Sequence, residues 1–130
     1  MIITEKKPID EILDALKDKV RIFLIGCGEC ATICKTGGQE ELAEMEAVLK
    51  SRGKEITGVC IPDAPCLASR IKIELARNMA ALRRTQVILV LSCGLGVQSV
   101  KENDRLGLEA IPACNTICSA IVDAEGDFIE

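Results

Sequence analysis

The 130-residue sequence contains no histidine, no tryptophan and no tyrosine. Without histidine, the commonest general base and the commonest nitrogen ligand for metals are both missing. Cys–His and Ser–His–Asp catalysis are thereby excluded. Phe23 and Phe128 are the only aromatic residues, so there is almost no material for stacking on a flavin or a nucleobase. Long apolar runs are lacking too. The longest, such as Val87–Leu91, fall far short of the ~20 residues that a membrane span needs. Met1–Lys7 has charge but no apolar run followed by a small-residue cleavage site, so no signal peptide is expected. The net charge of -4 and the pI of about 5.0 point away from nucleic acid and from an anionic membrane, which call for a basic stripe.

What the chain has in quantity is cysteine, eight in all. An unsecreted, cytoplasmic chain keeps its thiols reduced, so this number points to metal or redox chemistry more than to disulfides. Isolated cysteines are well explained as small buried hydrophobes. Three within eight positions, Cys27, Cys30 and Cys34, are not. The hydrophobic fraction of 48% argues against disorder, and the length suits a single domain over residues 1–130.

The apolar pattern alternates between strand and helix. Pro8 starts a helix whose Ile9, Ile12, Leu13 and Leu16 share a face. Arg21–Gly26 is a short continuous apolar run, read as a doubly buried strand. Leu42, Met45, Val48 and Leu49 mark a helix over Gln39–Ser51, closed by Gly53. Lys54–Ile61 reads as a strand, Pro62–Pro65 as a turn and Leu67–Arg84 as a helix. Gln86–Leu91 reads as the central strand, and Gly94 and Gly96 permit a tight turn after it. Leu108–Ile111 is a fourth strand, and Asp123–Asp127 a turn between short extended pieces. Such alternation predicts a Rossmann-like or flavodoxin-like α/β fold, with a mainly parallel sheet of four or five strands flanked by helices.

The cysteines fall where such a fold binds ligands, beyond the carboxyl ends of its strands. Cys27, Cys30 and Cys34 follow the first of these strands in a C-x2-C-x3-C run. Cys66 follows the second, Cys93 the third and Cys114 the fourth. A [4Fe–4S] cluster needs four thiolates from compact loops. Gly26 and Gly28 let the backbone turn and bring N–H groups near the sulfurs, and Gly94 leaves room beside Cys93. The fourth thiolate would come from Cys66 or Cys93. Zinc takes the same ligands, but usually from two C-x2-C knuckles, and here there is one. A dithiol redox pair at Cys27 and Cys30 is a third reading, with no use for Cys66 and Cys93. Cys60 is read as core packing; Cys114 and Cys118 are intermediate, nearer to packing than to ligation, although Cys114, at a strand end, could join the site. Arg83-Arg84 and the glutamates Glu40, Glu41, Glu44 and Glu46 are read as solvated helix surface, the first two glutamates also suiting a helix N-terminus.

At GCGECATICKTGG (Gly26–Gly38), SCGLGVQSV (Ser92–Val100) and PACNT (Pro112–Thr116) the chain resembles a known family. That family is the C-terminal domain of methylenetetrahydrofolate reductase, which also occurs as the small cysteine-rich subunit of the enzyme in acetogens and other anaerobes. The resemblance covers roughly Val20 to Thr116. It implies an iron–sulfur accessory subunit that handles electrons, associated with a flavin-containing catalytic subunit and an electron-donor protein. It carries over Cys27, Cys30, Cys34 and Cys93 as cluster ligands and, by a looser match, Cys66. The family's second Cys-rich tail has no counterpart within these residues, so one cluster is expected. The folate chemistry would belong to the partner, since a barrel of ~250 residues does not fit in this length.

Overall fold

The structure, a computed structural model, describes residues 2–27, 38–62, 68–92, 94–119, 121–122 and 128–129. Four parallel strands form its centre: β2 (Arg21–Ile25), β3 (Glu55–Cys60), β4 (Val87–Val90) and β5 (Glu109–Pro112), in the spatial order β3-β2-β4-β5. The helices are α1 (Ile9–Ala15), α2 (Gln39–Ser51), α3 (Ala68–Arg77), α4 (Met79–Leu82) and α5 (Gly94–Asn103). This is the expected α/β fold, a parallel sheet flanked by helices. No helix among the described residues is long and apolar enough to cross a membrane.

The central strands read as continuous apolar runs because both of their faces are covered. All four residues of β4 are buried, and so are Ile22–Ile25 of β2. Alternate side chains go to opposite layers. Ile22, Leu24, Val87 and Leu89 pack under α1 and α2, against Ile12, Leu16, Leu42 and Leu49. Phe23, Ile25, Ile88 and Val90 pack under α3, α4 and α5, against Ile71, Leu75, Leu82, Val97 and Val100. Each fully buried Leu, Ile or Phe contributes about 1.5–3 kcal/mol.

Three elements differ from the sequence expectation. Residues Ile2–Lys6 form a strand, β1, which pairs antiparallel with β6 (Cys114–Ser119). No local pattern announces that pair, because its partners lie at opposite ends of the chain. The single helix expected over Leu67–Arg84 is divided at Asn78, whose amide Nδ2 donates to the Glu74 carbonyl at 2.8 Å. A local side-chain bond of this kind competes with the helical ladder. Glu41 suits the N-terminus of α2 as expected but is buried there rather than solvated, its Oε1 accepting the Gly38 N–H at 3.3 Å. The short pieces after β6 are β7 (Ile121–Val122) and β8 (Phe128–Ile129), paired antiparallel; the turn expected between them lies outside the described residues.

The outer strand β3 carries an irregularity at Thr57. Ile22 pairs with Ile56 but Phe23 pairs with Gly58, which leaves Thr57 as an extra residue. The Thr57 and Thr85 hydroxyls lie 2.6 Å apart, and Thr85 Oγ1 is 2.9 Å from the Ala81 carbonyl. Both contacts are satisfied when Thr57 donates to Thr85 and Thr85 to Ala81. The next position must be glycine for steric reasons. A Cβ at Gly58 would lie 2.6 Å from Cε2 of Phe23, a ring with no solvent exposure and nowhere to move. Gly58→Ala is therefore expected to destabilise the fold by about 1–3 kcal/mol, read as a lower midpoint in urea unfolding.

Candidate metal centre at the carboxyl edge of the sheet

Parallel pairing brings the four strand ends level. Cys60, Ile25, Val90 and Pro112 occupy one register row across β3, β2, β4 and β5. The ladder continues one residue beyond it. The Gly26 N–H donates to the Cys60 carbonyl at 2.9 Å, Leu91 N–H to Ile25 at 2.7 Å, and Ala113 N–H to Val90 at 2.9 Å. Cys27, Ser92 and Cys114 are the next residues along β2, β4 and β5.

The chain's winding leaves an opening at this place. From β2 it proceeds through α2 to β3 on one side of β2, and from β4 through α5 to β5 on the other. The helices α2 and α5 lie on opposite faces of the sheet. The topological switch point is thus between β2 and β4, where doubly wound sheets open a ligand crevice outside the strand ends. Helices of parallel βαβ units begin at this same edge, so their N-terminal dipoles favour negative charge there.

The cysteines sort by environment. Cys27, directly beyond β2, is buried with 7% of its surface exposed. Gly26 is committed to the ladder through its bond to Cys60, so this amide supports the strand end. Gly94 opens α5. The remaining residues expected at the site, Gly28, Cys30, Cys34, Cys66 and Cys93, lie outside the described residues. Among the described residues no three His, Cys, Asp or Glu side chains come together as a metal site.

Cys114 is buried within the core under α1 and α2, where it packs as a small apolar side chain. Cys60, expected inside its strand, ends it, and packs against the core under α3. Its thiol is pushed up from 9.0 to about 12, mainly by burial and further by the nearby Glu74 carboxylate. Burial thus disfavours its thiolate, the form that nucleophilic attack requires.

A second feature borders this edge. A cleft of about 360 Å³ lies between α2 and the segment that joins β1 to α1, with Ile12, Met45, Leu91 and Ala113 among its lining residues. It depends on the pairing of β1 with β6, which sequence reasoning missed, and no residue pattern signals it.

The state of Cys60 has a pH signature. The folded chain holds the Cys60 proton more tightly than the unfolded chain. Its contribution to stability is therefore complete below pH 9.0 and is lost as pH rises from there toward about 12. The stability difference between the native chain and Cys60→Ala, measured by denaturant unfolding, is expected to be constant below that range and to shrink within it. In the native protein at neutral pH, the Cys60 peptide should be slow to alkylate with iodoacetamide, measured by mass spectrometry.

Compared with known proteins, the chain matches no family model, no curated protein and no solved structure.

Proposed function

We propose that this chain is a [4Fe–4S]-carrying accessory subunit that relays electrons to or from a flavin-containing methylenetetrahydrofolate reductase partner in the cytoplasm, drawing on an electron-donor protein. The observation that carries the reading is the level carboxyl edge at the switch point. Segments bearing Cys27, Cys30 and Cys34, then Cys66, then Cys93 leave the ends of three adjacent parallel strands there.

The donor chemistry fits such a group. The chain has no histidine, which leaves thiolates as its soft ligands. Cys27 sits at the edge in a buried position, which lowers the local dielectric and limits access of water. Cys27, Cys30 and Cys34 would hold the cluster, with Cys66 or Cys93 as the fourth ligand. Cys60 and Cys114 are left out because both pack against the core. When bound, the cluster would supply one-electron transfer. The chain's own contribution is the negative-charge tolerance of the helix N-termini and the amides of the strand ends.

The test is the spectrum of anaerobically purified protein, with iron, zinc and acid-labile sulfide assayed on the same sample. A broad absorption near ~400 nm that bleaches with dithionite, with equal iron and sulfide, is the expected result. Cys30→Ala and Cys34→Ala should each lower iron and sulfide content while Cys60→Ala leaves both unchanged. A colourless protein with stoichiometric zinc would replace this reading with a zinc-stabilised docking module. Iron content indifferent to Cys30 and Cys34 would overturn the ligand assignment.

A further inference from the structure

The helices on the two faces of the sheet differ in charge, although Lys6 and Lys7 pair with Glu44 and Glu11 on the face of α1 and α2. On one side of the sheet, α1 and α2 carry seven carboxylates and one cation, Lys50. On the other side, the stretch of α3, α4 and the turn after them (68–84) carries Arg70, Lys72, Arg77, Arg83 and Arg84 against Glu74 alone. That is a local charge of +4 in a chain whose net charge is -4. Summed over the whole sequence the two layers conceal each other, which is why the net charge alone discloses no basic surface.

The basic layer has an apolar centre. Ile71 and Leu75 turn into the core, and Ile73 between them is 50% exposed. Arg70 and Arg77 stand one turn before and one turn after Ile73 on the same helix. With Ile61 and Pro62 from the end of β3, and with Glu74, they line a shallow cleft of about 170 Å³. Arg77 is 3.3 Å from Glu74, but among the described residues no carboxylate lies within ion-pair distance of Arg70, Lys72, Arg83 or Arg84. An exposed aliphatic side chain among arginines has the composition of a protein interface, where arginine is enriched and its long stem also covers apolar surface.

We propose that the outer face of α3, centred on Arg70, Ile73 and Arg77, docks a partner protein through an acidic segment that also bears an apolar side chain. Partner carboxylates pair with Arg70 and Arg77, and the apolar side chain covers Ile73. A polyphosphate strand suits the face less well, because the rest of the chain is strongly anionic and no aromatic side chain lies in 68–84 for base stacking. A second copy offering its acidic α1–α2 layer would pair head to tail and grow into open chains. Because α3 begins at the carboxyl edge, the partner would sit beside that edge. The docking face rests on charge and exposure alone and holds whether or not the edge carries a cluster.

The test uses the full chain as purified and a fluorescein-labelled peptide of Glu, Asp and Leu, with binding read by fluorescence anisotropy. The peptide should bind, and added salt should weaken it. The double variant R70E/R77E should weaken binding about tenfold or more. Ile73→Asp should also weaken it, and the control E40K/E44K should leave it within about twofold. Circular dichroism melts of each variant separate lost binding from lost folding. The proposal is overturned if folded R70E/R77E binds the peptide as well as the native chain does. It is equally overturned if a short DNA duplex binds more tightly than the peptide. A concentration-dependent oligomer of the native chain that R70E/R77E dissociates would assign the face to a second copy instead.

Discussion

The parallel pairing of β2 with β4, from Ile22 opposite Val87 to Ile25 opposite Val90, is the constraint on which the rest of the molecule depends. These strands are buried on both faces, so a slip of one residue would send every side chain to the wrong layer. Phe23 and Ile25 would lose α3 and α5, and Leu24 would lose α1 and α2. The register is held by the packing of both layers at once, and in holding it they bring the carboxyl ends of the strands level. The proposed centre is a by-product of that alignment. Residues far apart in sequence arrive at one edge because hydrogen bonds between strands leave them nowhere else to end.

Within that edge, the cysteines differ in what surrounds them. Cys60 and Cys27 are close neighbours across the β2–β3 ladder, yet they differ in kind. Cys60 faces the core beneath α3 with a carboxylate nearby, which holds it as a neutral thiol. Cys27 lies two residues past the end of β2, at the edge where the helices of parallel units begin. The absence of histidine sharpens the division, since no imidazole is present to activate a thiol or to replace one as a ligand.

The legible parts of the fold are those written in local pattern. The run Val87–Leu91 announces β4 because a doubly covered strand needs apolar side chains at every position. Leu42, Met45 and Leu49 announce α2 because one helical face meets the sheet. The level carboxyl edge also follows from strand–helix alternation, since a parallel sheet ends its strands on one side. What escapes local reading depends on distant partners. The interruption at Asn78 goes with a side-chain amide that shares the Glu74 carbonyl with its own backbone N–H. The burial of Glu41 rests on its bond to Gly38, and the basic face of α3 emerges only when the acidic helices are placed across the sheet. The choice of ligands is illegible for the same reason. Spacing brings thiols to an edge, but their mutual distances are set by loops whose path no periodicity encodes.

The pairing of β1 with β6 has a bearing on the order in which the molecule assembles. Lys7 Nζ donates to Asn115 Oδ1 at 2.6 Å across a sequence separation of 108 residues. Closing so long a loop costs entropy that is recovered only once the intervening chain is compact. The four-stranded sheet, built from neighbouring βαβ units, has much shorter closures to make. β1 therefore closes against β6 at the least entropic cost once the sheet is in place, and its pairing depends on that sheet. The apolar cleft beside α2 shares that dependence, because one of its walls is the chain from β1 into α1. It is a compartment that exists only where that two-stranded clasp is paired.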